Sequence, residues 1–139
     1  MRILKTKWFA RFARKEKVGD ARLREAIDRA GKGGIDAALG GNLIKQRVAR
    51  DGGGKSGGFR TIVAFRAKER SIFLYGFAKN ERDNIDAEDL ELLKKLALQF
   101  LPMRAAEIEK AIEEGELIEV EHDDEGEKEI SQQNRGSGA

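Results

Sequence analysis

The chain reads as an α+β domain with two N-terminal helices, a small antiparallel sheet of three to four strands, and C-terminal helices packed on that sheet. Three observations predict it. Apolar residues recur at helical spacing before residue 31 and again after residue 86. Between them, residues 43–78 switch to short β-rich runs around a glycine loop. The helices also sit at the two ends of the chain rather than alternating with strands. A length of 139 residues with 40% apolar content suits one domain, placed at 1–115, with residues 116–139 as an acidic, disordered tail.

Taken in order, Leu4, Trp8 and Phe12 recur every four residues with cations between them, which predicts a first helix from about Thr6 to Lys15. Asp20 is placed to N-cap a second helix burying Leu23, Ala26, Ile27 and Ala30, and Gly31 stops it. A glycine-rich link then runs to Asn42. From Leu43 to Ala49 the period is two, so Lys45 and Arg47 share one strand face with Leu43, while Ile44, Gln46 and Val48 make an apolar face. Asp51 to Gly58 holds five glycines and reads as a flexible loop. Phe59–Phe65 is apolar on both faces and predicts a central strand, forming a hairpin with Ser71–Ala78 across the polar turn at 66–70. Asp86 caps a third helix, with Ile85 and Leu90 as a hydrophobic staple and Leu93, Leu96, Ala97, Phe100 and Leu101 as its stripe. Pro102 ends that helix, Arg104–Glu114 forms a fourth, and LIEV at 117–120 is a candidate edge strand.

Net charge is +2, but residues 1–79 carry +13 and residues 80–139 carry −11. A basic half of that size attracts polyanions, whereas the acidic half suits a solvated helix, a tail, or a cover for the basic face. Other chemistries find little support. There is no cysteine and one histidine, His122, so no disulfide, thiolate nucleophile or metal site is expected. The longest apolar run near the N-terminus is Trp8–Ala10, far short of a signal or spanning segment, so a soluble cytoplasmic protein is expected. Gly54-Lys55-Ser56 resembles part of a P-loop, but Ala49 stands where its first glycine belongs, and a strand rather than a helix follows.

What remains is a cluster of Lys45, Arg47, Arg50, Lys55, Arg60 and Lys79 interleaved with Phe59, Tyr75 and Phe77. Cations with aromatics suit RNA or single-stranded nucleic acid, where charges hold phosphates and rings stack on splayed bases. The same pattern also suits a solvated strand face above a phenylalanine core, and Tyr75 suits a half-buried core position. Periodicity alone supports a surface for nucleic acid or for an acidic protein.

The stretch Leu39–Asp86, with GKSGGFR and GFAKNERDNID, resembles the RelE/ParE superfamily of type II toxin–antitoxin toxins, in its HigB-like branch. The resemblance covers roughly residues 1–100 and implies a RelE-like fold. It also implies an endoribonuclease that cuts mRNA on the ribosome without a cofactor, and a cognate antitoxin carrying a helix-turn-helix as partner. Cleavage by the neighbouring 2′-hydroxyl needs that hydroxyl deprotonated, the charge on phosphorus stabilised and the leaving 5′-oxygen protonated. A lysine crowded by other cations can exchange a proton near neutrality, and arginine clamps phosphate oxygens bidentately.

By position within these motifs, Arg60 is expected to stabilise the phosphate. Lys45 and Arg47 would bind backbone, with Lys45 shifting a proton, and Lys55 would act from the loop. Tyr75 and Lys79 would orient the base and the leaving group, with Arg50, Phe59 and Phe77 as further RNA contacts. Better-known members often carry a catalytic Tyr or His near the C-terminus, where this chain has only His122. Two competing readings share the fold, a ParE-like inhibitor of DNA gyrase and a non-catalytic RNA-binding module.

Overall fold

The computed structural model describes residues 1–50, 58–78 and 85–121. Its elements are β1 (Arg2–Thr6), α1 (Lys7–Lys15), α2 (Asp20–Gly31), β2 (Ala37–Gly40), β3 (Leu43–Val48), β4 (Phe59–Arg66), β5 (Arg70–Ala78), α3 (Ala87–Phe100), α4 (Ala105–Glu113) and β6 (Leu117–Glu119). The six strands lie in the order β2-β3-β4-β5-β1-β6, and β1 runs parallel to β5 while every other neighbouring pair is antiparallel.

The α+β class therefore holds, but the small, purely antiparallel sheet is corrected to a six-stranded mixed one. β1 pairs with partners at residues 70–73 and 117–119, so its stability is long-range and its five residues carry no local signal. β2 is a four-residue edge strand of low β-propensity. It is held by a two-residue turn in which Gly41 and Asn42 take φ of +61° and +63°, the geometry that twists a hairpin correctly.

The sheet is covered on both faces. Ile44, Val48, Phe59, Val63, Phe65 and Phe73 share a core with Phe9, Ala13, Leu23 and Ile27 of α1 and α2. Leu43, Ile62, Ala64, Ile72 and Leu74 share the other with Leu93, Ala97, Phe100 and Ile108 of α3 and α4. Double coverage is why β4 is apolar on both faces.

Helix ends follow their capping chemistry. Thr6 Oγ1 accepts from the Phe9 N–H at 3.1 Å and starts α1. The stripe expected for α1 is corrected, because Leu4 lies in β1, fully buried in the opposite core, while Phe9, Ala10 and Ala13 are the buried face and Trp8 is 41% exposed. Asp20 does not cap α2, whose N-cap is Gly19. Its carboxylate instead takes Lys5 Nζ at 2.7 Å and accepts the Glu121 N–H at 2.8 Å, joining β1, α2 and the chain after β6. Asp86 caps α3, accepting from the Asp89 N–H at 3.0 Å, and Ile85 and Leu90 enter one core as the staple requires. α3 stops at Phe100, ahead of Pro102, where the Arg70 guanidinium donates to the carbonyls of Phe100, Leu101 and Met103.

The fold also runs beyond the boundary expected at residue 115. Leu117 and Val120 are buried, the Val120 N–H donates to the Ile3 carbonyl at 3.0 Å, and Arg2 is paired with Glu119 at 2.8 Å. The acidic tail from residue 122, including His122, lies outside the described residues.

Candidate nucleic-acid interface

β3 and β4 pair in continuous register from Leu43 with Ala64 to Val48 with Phe59. The register is pinned from the apolar side by Gln46, which is fully buried. Its amide accepts from the Asp36 N–H at 3.1 Å and donates to the carbonyls of Ala26 and Gly34 at 3.0 Å each. One buried side chain thus ties α2, the link after it and β3, with both ends of its amide satisfied.

That anchoring sets Arg47 one residue further along. Past the short β2, the Arg47 backbone meets side chains instead of a strand. Its N–H donates to Asp36 Oδ2 at 2.6 Å, and its carbonyl accepts from Arg29 Nη2 at 2.9 Å. Gly58 completes the setting, since a β-carbon there would stand 2.8 Å from the Val48 carbonyl oxygen and 3.2 Å from Arg47 Nε. The last glycine of the loop is therefore required by the close approach of the Val48 carbonyl, with the Arg47 side chain packed beside it.

Register places Arg47 directly opposite Arg60, and Arg60 opposite Phe77 on β5. Side chains directly opposed on one face have β-carbons about 5 Å apart, and like charges so placed are destabilising. Both arginines are half-buried, and no carboxylate among the described residues pairs with either. Lys45 lies two residues before Arg47 on the same face, and Tyr75 is the diagonal neighbour of Arg60. Lys45 and Tyr75 stand in one row but are separated by Ile62, which is fully buried in the α3 core, so they are not brought together.

Other expected site residues go elsewhere. Phe59 is fully buried on the opposite face, edge-on to Phe12 with ring centroids 5.5 Å apart, so it is a core residue and not a base platform. Phe77 is 3% exposed and forms the floor beneath Arg60 rather than an open stacking surface. Arg50 is exposed, and its guanidinium lies 4.8 Å from the Phe59 ring centroid, at the edge of the opposite face from Arg60. Lys55 and Lys79 lie outside the described residues.

Sequence reasoning missed Trp8. Its ring is stacked on Tyr75 with centroids 4.7 Å apart and on Phe12 at 5.6 Å, which extends the aromatic surface from β5 onto α1. The alternation of rings and cations in KWFARFARK was the available signal, but its four-residue spacing suggested a buried stripe.

Chemically, arginines opposed in register can offer planar donor forks of the kind that match the non-bridging oxygens of a phosphate. Such donors stabilise developing charge without moving a proton. Among the described residues no group of His, Cys, Asp and Glu could hold a metal ion, and no helix is long and apolar enough to cross a membrane.

No curated protein shows significant similarity to the chain. A family model described as the RelE toxin of the RelE/RelB toxin–antitoxin system matches residues 1–120, a span that ends where Val120 closes the fold. The match covers most of the chain, which therefore belongs to the RelE family of toxins of toxin–antitoxin systems.

Proposed function

We propose that the chain is a ribosome-dependent endoribonuclease of the HigB-like branch, acting on mRNA in the cytoplasm and held silent by a cognate antitoxin with a helix-turn-helix. The observation that carries this reading is the Arg47–Arg60 pair, two half-buried cations opposed across β3 and β4 with no described carboxylate to neutralise them. Such a pair costs stability in the free protein and gains from an anion with oxygens at two corners, which a phosphodiester supplies.

In the reaction, a ribose 2′-oxygen attacks the adjacent phosphorus as its proton leaves, the phosphorane collects charge, and the 5′-oxygen departs with a proton. Arg60 and Arg47 hold the phosphorane oxygens, where charge develops most. Lys45 and Tyr75 lie in the row beside that pair and are assigned the base and leaving-group roles, with Lys55 and Lys79 as further candidates on the same motifs. Histidine is not needed for any of these roles.

Purified ribosomes programmed with a defined mRNA test the reading. Added protein is expected to produce new 5′ ends within the open reading frame. Intact mRNA, together with inhibited supercoiling by purified DNA gyrase, would replace the ribonuclease reading with a ParE-like one.

A further inference from the structure

α1 carries a second feature that the Arg47–Arg60 pair does not explain. Trp8 is large and apolar yet 41% exposed, held flat against Tyr75 at 4.7 Å and 22° and against Phe12 at 5.6 Å and 9°. Gly76 makes this fit possible, because a β-carbon there would lie 2.5 Å from the Phe12 ring. The helix is pressed onto the strand so closely that the rings form a fixed ladder.

The charges around the ladder point one way. Lys7, Arg11, Arg14 and Lys15 are all exposed, and none is in an ion pair with another described residue. Trp8, Arg11, Lys15, Tyr75 and Gly76 line a concavity of about 420 Å³, where Glu16 is the one acidic lining residue. By contrast, Arg22 and Arg29 of α2 are paired with Glu25 and Asp36. Tyr75 stands at once under Trp8 and diagonal to Arg60, so the ladder continues the cationic face of the sheet.

We infer that Trp8, mounted on Tyr75, is the base-stacking platform of the RNA site, with Arg11 and Lys15 holding the backbone of an unpaired strand that leads to Arg60. This rests on the ribonuclease reading and adds to it where the strand enters. A tryptophan 41% exposed and mounted on its neighbours, beside cations that pair with no described carboxylate, suits single-stranded nucleic acid; duplex RNA keeps its bases stacked and offers none to the ring.

Trp8 is the sole tryptophan, so its own emission reports on the platform. The wild-type protein is titrated with a fluorescein-labelled, 2′-O-methylated hexanucleotide that cannot be cleaved, following label polarisation and Trp8 emission together. Binding with quenched emission is expected, whereas an abasic oligomer of equal length binds without comparable quenching. Trp8→Leu is expected to weaken affinity for the hexanucleotide by about tenfold or more while leaving the circular-dichroism spectrum unchanged. Arg11→Glu with Lys15→Glu gives a second loss of affinity that does not touch the aromatic packing.

Binding by polarisation with emission unchanged overturns the platform but leaves the ribonuclease reading standing. Equal quenching by the abasic oligomer also overturns it. If mRNA is not cleaved on ribosomes and the hexanucleotide does not bind, the ribonuclease reading fails and the platform falls with it. Emission changed only by an added protein partner would assign the exposed rings to protein docking instead.

Discussion

On the proposed reading, Arg47 concentrates the trade between stability and function at a single position. Its backbone is held by Asp36 and Arg29, its side chain fits beside Gly58, and its charge faces Arg60. Arg47→Ala should raise stability or leave it unchanged, with relief of like-charge opposition worth about 0.2–1 kcal/mol. The same change should weaken RNA binding and lower the slope of log affinity against log salt by about one. Paired urea melts and salt titrations check both directions, and a variant both less stable and equally tight would contradict the role. At this scale the sequence was informative about parity: Lys45 and Arg47 do share a face, and Gln46 does point to the apolar side. Alternation puts Phe59 and Arg60 on opposite faces, but the sequence could not tell that the Phe59 face is the one closed by α1 and α2. Nor could it show Trp8 leaving the buried stripe, because which flank of α1 meets the sheet depends on Gly76 admitting Phe12.

Elements place these residues, and two interactions hold the elements. Gln46 is the buried polar joint between α2 and β3. Gln46→Leu strips partners from the Asp36 N–H and from the carbonyls of Ala26 and Gly34, and should cost about 2–4 kcal/mol by denaturant unfolding. A loss near zero would mean that water replaces the amide.

The second interaction titrates. Glu107 Oε1 accepts the Arg104 N–H at 2.8 Å at the start of α4, and that bond holds its carboxyl below the usual carboxylate range. Since the folded-state pKa is depressed, the contribution is present at neutral pH and is lost as pH falls through the lowered value. Glu107→Gln keeps an acceptor but not the titration, so its Tm should fall less steeply on acidification than that of the wild type. Helices with caps and staples, such as α3, were legible because their signals are local. β1 and β2 were not, since five residues of RILKT become a strand only through partners about 70 and 115 residues away.

Across the whole molecule, the chain is closed by its ends. β1 pairs with β6, Arg2 joins Glu109 and Glu119, and Val120 is buried against the first core. Truncation after Gly115 should therefore lower the Tm of the entire domain relative to the full chain, and an unchanged Tm would show that β6 adds nothing. The charge split between the halves, visible in composition, is the sequence feature on which the proposed basic surface rests. Its geometry was not visible, because only strand pairing sets Arg47 against Arg60. The central claim is that this opposed pair meets an RNA phosphate. Its most direct test is primer extension on mRNA-programmed ribosomes with wild-type protein and Arg60→Ala at matched concentrations. The account predicts cleavage by the wild type and a rate about 10²–10³-fold lower for the variant, with its fold intact. Cleavage by Arg60→Ala at the wild-type rate would contradict it.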